Sequence, residues 1–237
     1  MIDSPHVDDE VESVERLSVP DDPAESHFRY RARFAKVGSL RYISHLDLAR
    51  LWERTLRRAG ARLVYSQGFN PRPKIQLASG LPLGHESVCE LVDFWLTESV
   101  ASFEEFRARL ADASPEGLQA LAVEAVDIHG PALQSITDRA IYEVRFKSKM
   151  DRDWLKAKTE WFMGLTECLR VRRDKPYDLR PLVDQLRVIG ALDVILEMTL
   201  ALSQGRGTAR PDEVIQALDI DPIDTRITRT AIHFVAE

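Results

Sequence analysis

Twice along the chain the side-chain pattern runs through extended, helical, extended, extended, helical and extended stretches, and that order limits the architectures open to it. In the first run, "FRYRARFAK" alternates Phe28, Tyr30, Ala32 and Phe34 with Arg29, Arg31 and Arg33, the period of a half-buried strand with an arginine face. Ser44 and Asp47 then form an S-x-x-D helix start, because a hydroxyl at the cap satisfies an unpaired amide of the first turn. Leu46, Leu51 and Leu56 with Ala49, Trp52 and Ala59 give the apolar side, and Gly60 ends the helix. "RLVYS" predicts the second strand. The turn "QGFNPRP" and the short "IQLA" read as an elaboration before the third strand, "SVCELVDFWL", which is apolar on both faces and therefore central. Ser102 and Glu105 start the helix "FEEFRARLADA", and "LQALAVEAVDI" closes the run.

The second run repeats the order with "RAIYEVRFK", "RDWLKAKTEWFMGL", "CLRVRR", "ALDVILEMTLAL", "RPDEVIQAL" and "TRITRTAIHFV". The predicted fold is α+β, with two tandem ferredoxin-like (βαββαβ) units over residues 28–130 and 131–237. A single twisted α+β domain is the competing arrangement.

Charge divides the chain more sharply than composition does. Residues 1–27 hold nine acids and one base, residues 28–75 hold twelve bases and two acids, and residues 76–130 hold ten acids and two bases. The acidic first segment, with three prolines and few aromatics, predicts a disordered tail. The basic segment predicts an anionic partner, RNA above all, unless the acidic segments satisfy it within the molecule. Only Cys89 and Cys168 occur, in no C-x-x-C spacing, so no metal site, metal cofactor or disulfide framework is expected. No apolar run approaches the ~20 residues that span a bilayer, and the N-terminus lacks the order of a signal peptide. No membrane association and a cytoplasmic location are the corresponding expectations.

Candidate ligand-binding residues gather at loops and element ends. Lys36, Gly38 and Arg41 precede the first helix, and His45 stands at its first position. There the imidazole could serve as a general base, a phosphate donor or a partner to a loop carbonyl. Tyr65, Phe69, Asn70, Arg72 and Lys74 mix aromatics with cations, as single-stranded RNA recognition requires. They could equally fix the turn against the sheet. Gly205 and Gly207 flank Arg206 in a loop ending at Arg210, which lacks the Lys-Ser/Thr of a phosphate-cradling P-loop. All three regions are expected to converge on one cleft between the units.

The spaced motifs from Lys36 to Asp93 resemble the bacterial family of radical-SAM-linked proteins. They comprise Lys36, Gly38 and Arg41 to Asp47; Tyr65 to Pro73; and Leu81, Pro82, Gly84, Ser87, Glu90 and Asp93. "DLRP" at 178–181 and "GRGTARPDEVIQAL" at 205–218 fit the same pattern. The resemblance implies a domain of unknown function fused to, or encoded beside, a radical SAM protein, and its gene surroundings imply RNA. The expected role is an RNA-binding accessory to a separate radical SAM enzyme. A metal-independent endoribonuclease using His45, or a protein–protein adaptor, is the alternative. This chain lacks the C-x-x-x-C-x-x-C that holds a radical SAM cluster.

Overall fold

The computed structural model describes residues 27–67, 69–203 and 205–235, so the predicted disordered tail, apart from His27, lies outside the described residues. The first run forms β1 (Phe28–Lys36), α1 (His45–Arg58), β2 (Ile75–Leu77), β3 (Glu86–Leu96), α2 (Phe103–Ala113) and β4 (Leu118–Val126). A single helical turn, α3 (Leu133–Ile136), leads into β5 (Thr137–Phe146) and α4 (Arg152–Met163). The chain continues through β6 (Leu169–Arg172), β7 (Lys175–Asp178), β8 (Val183–Ile189), β9 (Ile195–Ser203), β10 (Gly207–Thr208), α5 (Pro211–Ala217) and β11 (Thr225–Phe234).

Nine strands make one mixed sheet in the order β10-β9-β5-β11-β3-β1-β4, with β2 also beside β3 and β8 also beside β9. The first run therefore has the order β4-β1-β3-β2 and the second β11-β5-β9-β8, the same relative placement in each. The two join where β11 lies parallel to β3, through Thr228 opposite Glu86 and Arg229 opposite Ser87. The fold is α+β, with a large, mostly antiparallel sheet and, among the described residues, five α-helices.

Two expected strands fall elsewhere. "RLVYS" makes only isolated bridges, Leu63 to Leu96 and Tyr65 to Pro73, whereas Ile75–Leu77 is the segment that pairs with β3. In the second run the strand beside β9 is β8, "VDQLRVI", and "CLRVRR" folds back on β7 as a hairpin outside the sheet. The reason is visible in exposure: Leu169 and Val171 are 62% and 71% exposed, so these residues do not supply a core face. Arg170 and Arg172, the polar positions, are the more covered ones. Alternation identified the extended chain but not which side of it is inside.

Two apolar clusters follow the two runs. In the first, Phe34, Trp52, Leu56, Val92, Phe94, Phe106 and Leu110 fill the space between the sheet and α1 and α2, with Phe34 and Trp52 edge to face at 5.0 Å. In the second, Tyr142, Val144, Leu155, Phe162, Met198, Val214 and Ile227 pack with α4 and α5. Leu81, from the loop after β2, belongs to the second cluster and thereby pins an N-terminal loop to the C-terminal core. Glu90 alternates in step with Val92 and Phe94, Arg229 with Ile227, and the two side chains meet, so both cores lie on one face of the sheet.

The start of α1 is built as its motif predicts. Ser44 Oγ accepts from Asp47 N at 3.1 Å and donates to the Asp47 carboxylate at 2.7 Å. Ser44→Ala is expected to lower stability by about 1 kcal/mol, read from the shift of the urea unfolding midpoint. A change indistinguishable from zero would show that the cap is replaced by water.

Candidate functional site

Much of the basic segment is neutralised by its own chain. Arg29 and Arg31 both pair with Asp93, at 2.6 and 2.8 Å, and Arg29 also donates to the carbonyls of Asp127, Gly130 and Pro131. Arg41 lies 3.8 Å from Glu86 and donates to Tyr42 Oη, Arg57 pairs with Glu53 at 2.7 Å, and Arg62 pairs with Glu98 at 2.7 Å. Asp93, Glu86 and Glu98 all come from the acidic segment 76–130, so the intramolecular alternative accounts for part of the charge pattern. The Glu86 carboxyl is held below its ordinary range, chiefly by the Arg226 guanidinium, which it accepts at 2.8 and 2.9 Å.

The expected site residues do not share one place. Lys36 is the buried last residue of β1, 1% exposed, and not part of the loop before α1. The Tyr65–Lys74 turn closes on itself through Ser66 N to Arg72 O at 2.8 Å and Arg72 N to Ser66 Oγ at 3.0 Å. Tyr65 takes a hydrogen bond from Arg57, Lys74 sits over the Trp95 ring at 5.4 Å, and Phe69 stands fully exposed. Asn70 and Arg72 are exposed beside it. Arg206 pairs with Asp184 at 2.6 Å and borders a shallow depression with Lys175 and Tyr177.

His45 and Arg210 both line a cavity of about 800 Å³ at the junction of the two halves. Its walls come from the loop 78–83, from β5 and β11, from the β6–β7 hairpin and from the residues leading into α5. The Tyr65–Lys74 turn, Arg41 and Arg206 do not line it, so the single cleft expected from sequence holds only the helix start and the end of the glycine-containing loop. Attachment to opposite ends of β3 explains the split. β2 pairs with one end of β3, and the turn hangs from that end, while β11 joins the other end, beside the cavity.

The cavity is positively charged at its mouth. Arg173 and Arg210 are exposed, and among the described residues neither has an ion-pair partner. Arg173 is placed by the hairpin turn, where it and Asp174 adopt φ of 52° and 61°, left-handed conformations that side chains tolerate poorly. Arg172 anchors the hairpin by donating to Glu213 at 3.0 Å and to Thr208 O at 2.9 Å. His85, nearly buried, meets Asp212 at 3.0 Å across the lip, tying the start of β3 to the start of α5. His45 is exposed by area, yet protein packs closely enough that partial desolvation lowers its pKa, with Glu90 pulling upward and Lys36 downward. The shift favours the neutral imidazole over the charged one.

Beneath the mouth lies a buried ion pair that no sequence motif assigned. Arg229 Nη1 donates to Glu90 at 2.8 Å and to Ser79 Oγ at 2.8 Å, Nε to Tyr142 Oη at 3.1 Å, and Nη2 to Gly80 O at 3.0 Å. Glu90 belongs to the spaced motif with Ser87 and Asp93, and all three are buried; polar residues repeated inside an apolar strand were the available signal. Cys89, beside them, has its thiol pushed up to about 11 by burial, which makes it a poor nucleophile. Among the described residues, no cluster of three or more His, Cys, Asp or Glu side chains is placed to hold a metal, and no helix is long and apolar enough to cross a membrane.

An α+β sheet with a cationic cavity at the meeting of two similar halves defines the class of protein. Residues 29–211 match the family described as "uncharacterized protein conserved in bacteria (DUF2344)", and the chain belongs to it. No curated protein matches the chain. Among solved structures it is similar to a chain of a Cbf5-Nop10-Gar1 complex, at 10% identity and a TM-score of 0.47, over 95% of this chain and 56% of that one. An unknown protein from Galdieria sulphuraria matches at 11% identity and a TM-score of 0.26, over 89% of this chain and 100% of that one. A putative glycine cleavage system transcriptional repressor matches at 10% identity and a TM-score of 0.23, over 89% of this chain and 99% of that one. Likeness at these levels carries no argument about activity.

Proposed function

We propose that this protein is an RNA-binding accessory that works beside a separate radical SAM enzyme in RNA modification or processing, in the cytoplasm. The carrying observation is the cavity of about 800 Å³ whose mouth presents Arg173 and Arg210 without carboxylate partners among the described residues. Apolar walls from Leu81, Pro82, Leu83 and Pro211 with a cationic mouth suit a nucleotide, whose base is apolar on its faces and whose phosphate is anionic. The exposed Phe69, with Arg72 and Lys74 beside it, offers a second, separate stacking contact for a single strand. Reading each half as a ferredoxin-like unit agrees with the repeated strand order, and the radical SAM partner rests on the family resemblance.

Filter retention of labelled single-stranded RNA at several salt concentrations tests the reading. Log affinity should fall with log salt by roughly 0.7 per phosphate neutralised, and Arg173→Ala with Arg210→Ala should reduce that slope by about 0.7 for each arginine engaged. An unchanged slope would remove the cavity from RNA binding. His45 at the same mouth, its pKa lowered by desolvation, supports the second reading, metal-independent cleavage. RNA shortened by the wild-type protein and left intact by His45→Ala would favour it, whereas full-length RNA recovered from both favours the accessory role.

A further inference from the structure

The cavity has a floor distinct from its mouth. Arg229 and Tyr142 are each 1% exposed and Thr137 3%, while His45, Gly80, Arg173 and Arg210 are open to solvent. Two buried cations share one carboxylate here; Arg229 lines the cavity, whereas Lys36 stands outside its lining. Lys36 and Arg229 are the partners of Ser87 on the two sides of β3, which places the three side chains in one row across β1, β3 and β11. Lys36 is 1% exposed, and among the described residues its ammonium has neither an ion pair nor a hydrogen bond. Glu90, 2% exposed, is already engaged by Arg229. Desolvation lowers the Lys36 pKa, with Glu90 opposing and Arg229 adding to the effect, as expected of a surplus buried charge.

Donors without acceptors surround the same place. The hydroxyls of Ser79 and Tyr142 each accept from Arg229, which leaves their own hydrogens to give. The backbone N–H groups of Ser79 and Gly80 have no acceptor among the described residues, and the space beside Gly80 is open within 4 Å of where a Cβ would stand. Consecutive free amides of this kind bind anions readily.

Resting on the reading of the cavity as an anionic-ligand site, we propose that its floor is a phosphomonoester subsite. A terminal phosphate bound there receives hydrogen bonds from the Ser79 hydroxyl and the Ser79–Gly80 amides, while Arg229 and Lys36 balance its charge from beneath. Charge selects a monoester over an internal diester: a monoester carries about −1.5 to −2 at pH 7 and so offsets the surplus cation better than a singly charged diester does. The ligand class is a strand end, or a mononucleotide with the same group.

Calorimetric titration of the full chain with one oligoribonucleotide, prepared with a 5′-phosphate, with a 3′-phosphate or with hydroxyls at both ends, provides the test. One phosphorylated form is expected to bind at least tenfold tighter than the hydroxyl form, which also identifies the end recognised. Lys36→Met should reduce that preference to within twofold while keeping the salt slope set by Arg173 and Arg210, and Ser79→Ala should weaken it several-fold. Equal affinity of the wild-type protein for all three forms overturns the subsite, even if the strand binds. A nucleoside monophosphate that binds in a Lys36-dependent way, with no binding of any strand, upholds the subsite and removes the RNA reading.

Discussion

Replacing Glu90 by alanine is expected to destabilise the fold by about 3–5 kcal/mol, the cost of leaving a buried charge uncompensated. Glu90 and Arg229 are 2% and 1% exposed and 2.8 Å apart, and arginine does not shed its proton to escape the penalty. The loss falls on the seam between the halves, because Arg229 also holds Ser79, Gly80 and Tyr142. Glu90→Gln keeps an acceptor and should lose less. Glu90→Met combined with Arg229→Leu should recover part of the stability, since it removes both charges of the pair together but takes the neighbouring carboxylate from buried Lys36. Urea unfolding of the three variants decides it. A loss under 1 kcal/mol for Glu90→Ala would mean that water enters and solvates Arg229.

A loss of similar size, about 3–5 kcal/mol, is expected for Asp93→Ala on the opposite face of the sheet. Asp93 is fully buried and accepts four hydrogen bonds, two from Arg29 and two from Arg31. Its removal leaves Arg29 with backbone carbonyls alone and Arg31 with no acceptor among the described residues. In a chain of this size roughly 2–4 °C accompanies each kcal/mol, so thermal unfolding should fall by about 10 °C. Asp93 alternates with Glu90's neighbours Val92 and Phe94, away from the cavity, so phosphate affinity per folded molecule should stay unchanged. A parallel loss of affinity would couple the two faces and contradict the separation of the site from this cluster.

The legibility of the chain followed the range of the interaction being read. Helix starts depend on residues three apart, and Ser44–Asp47 and Ser102–Glu105 appear as their sequences imply. α2 begins and ends at the expected residues, Phe103 and Ala113. Strands depend on partners far away, and there local patterning chose "CLRVRR" over "VDQLRVI" and "RLVYS" over "IQL". β8 was hidden because Asp184, Gln185 and Arg187 interrupt its apolar positions, as an outer strand of a one-sided sheet permits. His45 and Arg210 were legible as cavity residues because each flags a helix start. Arg173 was not, since it serves through a turn geometry, nor were Ser79 and Arg229, whose meeting spans 150 positions. Lys36 was legible as important but misread in kind: a lysine closing an alternating strand gives no sign of which neighbour buries it.

The insertion of β11 between β5 and β3 also sets an order of assembly. Strands β3 and β5 are made well before β11, yet they have no contact ladder with each other and share β11 as their common neighbour. Until Thr225–Phe234 arrives, each half presents an unpaired strand edge, and the surfaces around Glu90 and Tyr142 face water. Pairing Arg229 with Glu90 closes a loop of 139 positions, a slow step by loop-closure entropy. Until β11 pairs, the chain therefore carries these two further edges and no cavity, and it gains the cavity in the same event that covers them. The same strand that completes the cavity protects the chain from edge-to-edge association, so a fold arrested before that step both lacks the cavity and is prone to aggregate.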